Sequence, residues 1–159
     1  MLIRLHPAAQ AAVLLTASLL AGVMANQLRT QPLSWSQNWS DRVVTDAKKT
    51  GVPVVGPDEA RAISVAHSHI ILDARPAAYF AAGHIPGSFS MPASEIEKAL
   101  PQVLPLLTPA QPVMAYCSGH QCDESMELAK RLIQNGFTNV VLFADGWAGW
   151  TAAKLPVEK

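Results

Sequence analysis

The sequence predicts an α/β fold in which a parallel sheet is covered by helices on both faces. Strand-like and helix-like patterns alternate about five times between residues 52 and 156, as consecutive β-α-β units do. The predicted strands are uniformly apolar, which is typical of strands that are buried on both faces. Ligands of such sheets bind beyond the carboxyl ends of the strands, so functional residues are expected in the loops that follow them.

The composition indicates one globular domain with a short extension. The 159 residues are 50% hydrophobic and 15% charged, which is enough for one core. Twelve basic residues balance twelve acidic ones without a basic block, so no nucleic-acid partner is expected. The two cysteines are too few for a disulfide framework. Because no set of Cys, His and carboxylates has metal-ligand spacing, no metal or other cofactor is predicted.

The first element is the uncharged apolar segment at residues 8–25, rich in Ala, Leu and Val. Its length is at the lower end of the roughly 17 to 25 residues that cross a bilayer as a helix. Arg4 before it and the small residues Val23 and Ala25 at its end also resemble a signal peptide. A buried core helix is disfavoured because the segment has no polar face. Residues 1–28 are therefore predicted to be a transmembrane anchor or signal segment.

Residues 29–51 are predicted to be a linker that ends in a short helix near 41–49. Basic residues lie on both sides of the apolar segment, so the positive-inside rule does not decide its orientation. The order of basic, apolar and small residues resembles an export signal. We therefore expect a membrane-associated chain, either single-pass or exported, with its domain outside the cytoplasm; the alternative is the cytoplasmic side.

Residues 52–159 are predicted to form the α/β domain. Pro57 with Asp58 and Glu59 is typical of a helix start, and Gly136 is placed to end the helix before it. The apolar runs predict strands at 52–55, 69–74, 88–91, 112–116 and 139–143. The intervening patterns predict helices at 57–66, 77–82, 93–104 and 126–135, and a final short helix from residue 146.

The stretch from residue 113 to residue 125 concentrates the chemistry. An apolar run ends at Cys117, a polar loop with Gly119 follows, and a helix then opens with acidic and hydroxyl residues. Free N–H groups of the loop and of the helix start attract an anion and stabilise a thiolate. Cys117 is thus a candidate nucleophile. The alternative is a buried cysteine at a strand end that only fills space.

Three short motifs together resemble the rhodanese family of single-domain sulfurtransferases. They are Asp73-Ala74-Arg75, Gly83-His84-Ile85-Pro86-Gly87, and Tyr116-Cys117-Ser118-Gly119. The resemblance extends over about residues 54–156 and implies a five-stranded parallel sheet flanked by helices. It also implies that Cys117 takes a sulfane sulfur from a small donor anion such as thiosulfate, holds it as a persulfide, and passes it to a thiol or protein acceptor.

The resemblance also assigns roles to the residues of these motifs. Asp73, Arg75, His84 and Gly87 are expected to be structural, and His84 to bond backbone rather than to act as a base. The residues expected to bind the donor are Ser118, Gly119, His120, Gln121, Cys122 and Asp123.

The cysteine loop departs from the commonest family pattern. It is about two residues longer before the helix, and it lacks Arg. Asp123 and Glu124 lie where a cation would favour an anionic substrate, although both suit a helix N-cap and first turn. Cys122 is interpreted in three ways: a resolving thiol that attacks a persulfide or sulfenic acid on Cys117, its disulfide partner, or a small buried residue at the helix start.

The sequence therefore predicts a rhodanese-like sulfurtransferase that uses a Cys117 persulfide. One alternative is a non-catalytic rhodanese-fold module whose loop binds a partner or an anion. Another is a thiol redox sensor built on Cys117 and Cys122. A phosphatase is disfavoured because the loop has no Arg to hold phosphoryl oxygens.

Overall fold

A computed structural model of the protein describes residues 6–29, 42–103, 108–119 and 122–159. The chain divides into two units, Met1–Gln37 and Asn38–Lys159. The predicted apolar segment forms helix α1 (Pro7–Gln27), which begins with proline in its first turn. Apolar side chains on this helix, among them Leu15 and Leu19, are exposed. The helix is long and apolar enough to cross a membrane, with a mean hydropathy of 1.8 over 18 residues, a property that signal sequences share.

The second unit contains a five-stranded sheet whose strands are all parallel. The strands are β1 (Val54–Val55), β2 (Ile70–Asp73), β3 (Ser88–Ser90), β4 (Val113–Tyr116) and β5 (Val140–Phe143). They lie in the order β1-β5-β4-β2-β3, so β4 is the middle strand. The predicted α/β fold with a five-stranded parallel sheet is thereby confirmed.

Helices connect and cover these strands. They are α2 (Arg42–Thr50), α3 (Pro57–Ala66), α4 (Ala77–Ala82), α5 (Ile96–Val103), α6 (Glu124–Gln134) and α7 (Gly146–Ala152). The predicted helix at 93–104 is divided into a 3₁₀ turn (Ala93–Glu95) and α5, and its predicted last residue lies outside the described residues. Helix α6 begins at Glu124, two residues before the predicted range of 126–135. Glu124 and Ser125, the acidic and hydroxyl residues expected at the helix start, form its first turn.

Each face of the sheet has its own apolar core, because successive side chains of β4 point to opposite sides. Val113, Ala115 and Cys117 belong to one core, which includes side chains of α2, α5 and α6. Met114 and Tyr116 belong to the other, with Trp150 of α7 and side chains of α3. The alternation continues one residue past β4, and it places the Cys117 side chain on the α6 side.

Candidate functional site

Cys117 directly follows β4, at the carboxyl end of the middle strand, where parallel α/β sheets place their ligands. Only 1% of its surface is exposed. The Ser125 hydroxyl, in the first turn of α6, is also buried and donates a hydrogen bond to the Cys117 sulfur at 3.3 Å. A hydroxyl that donates to sulfur stabilises the thiolate over the thiol, because the thiolate is the better acceptor.

Helix α7 fixes the backbone of the cysteine loop. The N–H of Trp147 donates to the carbonyl oxygen of Cys117 at 2.8 Å, and the N–H of Ala148 donates to that of Ser118 at 3.0 Å. Gly146 makes this close approach possible. Its φ is +55°, and a Cβ there would collide with the carbonyl oxygen of Cys117 and lie 2.8 Å from the N of Gly119. The aromatic-rich segment that starts at Gly146 therefore supports the loop from beneath.

Cys122 is the disulfide partner of Cys117, with 6.2 Å between the two Cα atoms. This Cα separation lies within the range of about 4.4 to 6.8 Å that disulfides span. The Cys122 sulfur accepts a hydrogen bond from the N–H of Ser118 at 3.4 Å, and the Glu124 carboxylate lies in contact with it. The sequence left three interpretations of Cys122 open. The structure agrees with the disulfide partner, and it does not agree with a buried residue away from the Cys117 sulfur.

Two N–H groups of the described loop residues have partners other than the Cys117 sulfur. The N–H of Cys122 donates to the carbonyl oxygen of Gly119 at 3.0 Å, and that of Ser118 is directed to the Cys122 sulfur. His120 and Gln121, two of the predicted donor-binding residues, lie outside the described residues. The binding of a sulfur donor by this loop stays a prediction.

The two acids at the start of α6 have different surroundings. Asp123 occupies the N-cap position but makes no capping bond; its exposed carboxylate instead pairs with Arg42 of α2 at 3.2 Å. Glu124 lies in the first turn and contacts the Cys122 sulfur. One of the two negative charges near the loop is thus offset by a cation from a distant part of the chain.

Among the described residues, one group of three side chains is close enough to share a metal ion. The sulfurs of Cys117 and Cys122 and a carboxylate oxygen of Glu124 lie within 4.8 Å of one another. Metal binding by cysteine requires thiolates, whereas these sulfurs are bonded to each other. We therefore assign no metal centre to these residues.

A buried charged network lies at the neighbouring strand ends. The Arg75 guanidinium donates to both carboxylate oxygens of Asp73 at 2.6 to 3.0 Å, and to the carbonyl oxygen of Gly83 at 2.8 Å. The Tyr116 hydroxyl donates to the same carboxylate at 2.5 Å. Arg75 also stacks over the Trp147 ring at 4.5 Å. Residues on both sides of Cys117, Tyr116 before it and the α7 segment after it, are thus connected through one ion pair.

The network shifts the protonation equilibria of Tyr116 and Arg75. Burial raises the pKa of Tyr116, and the charge and hydrogen bond of Asp73 raise it further, so this phenol stays neutral. Burial lowers the pKa of Arg75, but the hydrogen bonds and charge of Asp73 outweigh that effect and raise it overall. Arg75 therefore stays positively charged beside Asp73 throughout the physiological range.

The Gly-His-Ile-Pro-Gly motif is held by the C-terminal segment. Nδ1 of His84 lies 3.0 Å from the carbonyl oxygen of Phe80, and its ring stacks on the Phe80 ring at 3.8 Å. The backbone groups of His84 and Glu158 bond to each other in both directions. The Glu158 carboxylate accepts from the N–H of Gly87 at 2.9 Å. These contacts occupy His84 with backbone and packing partners.

Several of these contributors cannot be identified from the sequence. Tyr116 precedes Cys117, but its bond to Asp73 depends on the register of β4 against β2, which places these two residues opposite each other. Ser125 could have been found from its position in the first turn of the following helix. The pairing of Arg42 with Asp123 and of Glu158 with Gly87 joins residues far apart in the chain, which no local pattern indicates.

The fold and this site define a class of protein: a small α/β domain with a cysteine at the carboxyl end of the middle parallel strand. The profile of the rhodanese-like domain matches residues 56–153 of the chain. The chain therefore belongs to the rhodanese-like domain family.

Individual relatives of the chain include a curated regulator and solved structures. The HTH-type transcriptional regulator Rv0324 of Mycobacterium tuberculosis is 33% identical over 89 residues, which cover 56% of this chain and 37% of that protein. A rhodanese-like domain from Anabaena sp. is 26% identical with a TM-score of 0.54, over 67% of this chain and 78% of that domain. The thiosulfate sulfurtransferase from Pseudomonas aeruginosa shares the fold, with a TM-score of 0.60 and 24% identity, over 76% of this chain and 22% of that protein. The chain thus spans only about a third of the curated regulator and less of the sulfurtransferase.

Proposed function

We propose that the protein is a sulfurtransferase that carries a sulfane sulfur as a persulfide on Cys117. The observation that carries the proposal is the position of Cys117, which ends the middle strand of a rhodanese-like sheet with the Ser125 hydroxyl on its sulfur. The thiolate attacks the outer sulfur of the donor, and the rest of the donor leaves. The likeness to a thiosulfate sulfurtransferase supports the reaction class.

The charges around the loop favour donors of low negative charge. Asp123 is neutralised by Arg42, whereas the Glu124 carboxylate lies directly at the sulfur pair. Like charges at this distance repel, so a doubly charged anion such as thiosulfate binds less well here than a small organic persulfide does. A thiol or protein then accepts the sulfur.

The test is a search for the persulfide in a variant that cannot displace it. Because the Cys122 sulfur adjoins that of Cys117, the reduced full-length chain is prepared in detergent as Cys122→Ser and exposed to thiosulfate or glutathione persulfide. We expect a gain of about 32 Da on the peptide that contains Cys117. The chain with both Cys117→Ser and Cys122→Ser, as the matched control, gains nothing. If neither donor modifies the Cys122→Ser chain, the proposed function is wrong.

A thiol redox sensor is the second candidate, and the pairing of Cys117 with Cys122 favours it. A sensor of this kind cycles between dithiol and disulfide when it meets an oxidant. Peptide mapping without reductant after mild peroxide treatment would distinguish it. Two free thiols after that treatment exclude a sensor.

We also propose that α1 anchors this domain to a membrane. The 21-residue helix exposes an apolar surface along its length, and its first and last turns carry no acidic and no basic residues, respectively. Such a surface is stable in a bilayer and unfavourable in water.

A further inference from the structure

We infer that this site reduces the sulfane sulfur to sulfide, with Cys122 as the resolving thiol and Glu124 as the acceptor of its proton. The inference rests on the proposed function, because it begins from the Cys117 persulfide. It goes beyond transfer to an outside acceptor, since the Cys122 thiol of the same site releases the sulfur as sulfide.

The first observation is the placement of Cys122 over Cys117. The Cys117 sulfur is buried, whereas Cys122 is partly exposed and is the disulfide partner that adjoins it. An outside acceptor therefore has little access to the Cys117 sulfur, while Cys122 is already within bonding reach. An intramolecular thiol in contact with its target reacts as if present at very high concentration, so it competes well with acceptors in solution.

The second observation is the proton acceptor on Cys122. In the disulfide the Glu124 carboxylate contacts the Cys122 sulfur, and in the dithiol form the same contact is a hydrogen bond from the S–H of Cys122 to Glu124. An ordinary thiol has a pKa of about 8.5 and is mostly protonated at neutral pH. A base in contact with the thiol therefore speeds its attack on the persulfide. No described carboxylate contacts the Cys117 sulfur, which instead accepts from the Ser125 hydroxyl. The two sulfurs thus have surroundings suited to different steps.

The reaction balances without any further cofactor. The Cys122 thiol gives its proton to Glu124 and attacks Sγ of the Cys117 persulfide; the Sγ–Sγ bond forms and the bond to the outer sulfur breaks. The outer sulfur takes the released proton and leaves as HS⁻. It gains two electrons, and the two cysteines lose two as they become the disulfide.

A dithiol or two thiols from outside must then restore the site. The reductant attacks the partly exposed Cys122 sulfur, because that of Cys117 is buried. This attack releases Cys117 as a thiolate next to the Ser125 hydroxyl. A second thiol of the reductant frees Cys122, and the reductant leaves oxidised. The order of release returns Cys117 in the form that accepts the next sulfur.

A single-turnover experiment tests the inference. The reduced full-length chain in detergent is freed of reductant and given one equivalent of glutathione persulfide; sulfide is trapped and the protein mass is measured. We expect the wild type to release one sulfide per chain and to become about 2 Da lighter as the disulfide forms. Cys122→Ser gains about 32 Da and releases far less sulfide, because the single equivalent of glutathione left by the donor is a dilute acceptor, until an outside thiol is added in excess.

Glu124→Gln separates the proton acceptor from the resolving thiol. We expect Cys117 to accept sulfur at least as fast as in the wild type, because a carboxylate that repels the anionic donor is removed, and sulfide release to slow by about 10²-fold, the lower end of general-base effects. Glu127→Gln is the matched control, because it removes an exposed carboxylate one turn further along α6. It should leave both rates unchanged.

The outcomes distinguish this inference from the proposed function. If Cys122→Ser gains no sulfur, the proposed function fails and the inference fails with it. If that variant gains sulfur but the wild type keeps its persulfide and releases no sulfide, the inference alone is wrong. Equal sulfide release by the wild type and Cys122→Ser also overturns the inference. If Glu124→Gln releases sulfide at the wild-type rate, Glu124 is not the proton acceptor.

Discussion

At the scale of single residues, the buried pair of Asp73 and Arg75 is expected to affect stability strongly near the cysteine loop. Asp73 is fully buried and Arg75 is 2% exposed. A buried ion pair is stable only as a complete unit, because desolvation penalises each charge separately. The Arg75 guanidinium also binds the carbonyl oxygen of Gly83 and stacks on Trp147, so its loss affects the support of the cysteine loop.

We expect Arg75→Met to lower the free energy of unfolding by about 3 to 5 kcal/mol, the usual result of leaving a buried charge without its partner. Urea unfolding of the full-length chain, followed by tryptophan fluorescence, measures this change. Arg61→Met is the control, since Arg61 is exposed on α3 and its loss should cost less than about 0.5 kcal/mol. A similar, small loss in both variants would contradict the prediction.

Tyr116 makes stability sensitive to alkaline pH. Its pKa is raised in the folded protein by burial and by Asp73, so above about pH 10 the unfolded chain loses this proton first. Stability from this residue is therefore complete below pH 10 and declines as pH rises further. In Tyr116→Phe we expect a smaller decline of the unfolding midpoint between about pH 9 and 11 than in the wild type. Tyr79→Phe, which changes an exposed tyrosine, should behave like the wild type.

At the scale of elements, the sequence predicted most of the fold. Sequence patterns located all five strands to within one or two residues. The signal was clearest for β2, β4 and β5, because strands covered on both faces are continuously apolar. The helix starting at Pro57 was also located correctly, since proline and two acids define its first turn. The 3₁₀ turn before α5 was not predicted, because its periodicity differs from that of an α-helix only slightly over three residues.

Only those features of the site that lie close together in the sequence could be predicted. The motifs around Cys117 identified the strand end, but the meeting of Cys117, Cys122 and Glu124 depends on how the loop folds back at the start of α6. Register and long-range contacts decide the remaining partners, as for Tyr116 with Asp73. A single sequence carries no signal for either.

The start of α7 determines the shape of the cysteine loop. We expect Gly146→Ala to destabilise the protein by more than the roughly 1 to 2 kcal/mol that a left-handed residue costs, because a methyl group there meets the Cys117 carbonyl oxygen. Gly51→Ala is the matched control: its φ is +73°, but nothing lies within 4 Å of the added carbon.

Thermal unfolding of the two glycine variants measures the difference, and alkylation of the reduced protein reports on the loop. Cys117 should react faster in Gly146→Ala than in Gly51→Ala, because the displaced loop exposes its sulfur. Equal stability and equal thiol reactivity in the two variants would show that α7 does not hold the loop.

Helix α1 is expected to behave as a membrane element. We predict that the full-length chain stays with the membrane fraction after a carbonate wash, and that Leu15→Arg with Leu19→Arg shifts it to the soluble fraction. Each arginine costs about 2.5 to 3.5 kcal/mol at the centre of a spanning helix. Gln27→Arg with Leu28→Arg should remain in the membrane, since arginines at a helix end reach the interface. A wild-type chain that is soluble at its full mass contradicts this prediction.

At the scale of the whole molecule, the compartment of the domain decides the chemistry of the sulfur pair. Outside the cytoplasm, a disulfide persists until a specific reductant reaches it, whereas cytoplasmic thiols keep such a pair reduced. The charges flanking α1 do not settle the side, because basic residues lie at both ends, among them Arg4, Arg29 and Arg42. The order of basic, apolar and small residues in the sequence favours the outside.

Labelling of intact cells with a membrane-impermeant maleimide can determine the side. In a chain that lacks both native cysteines, Lys130→Cys places a single thiol on an exposed position of α6, and His6→Cys places one at the other end of α1. With the domain outside, we expect Lys130→Cys to be labelled before lysis and His6→Cys only after it. The reverse pattern would put the domain in the cytoplasm and the pair in its dithiol form. Loss of the His6→Cys peptide from the mature chain would instead identify the segment as a cleaved signal.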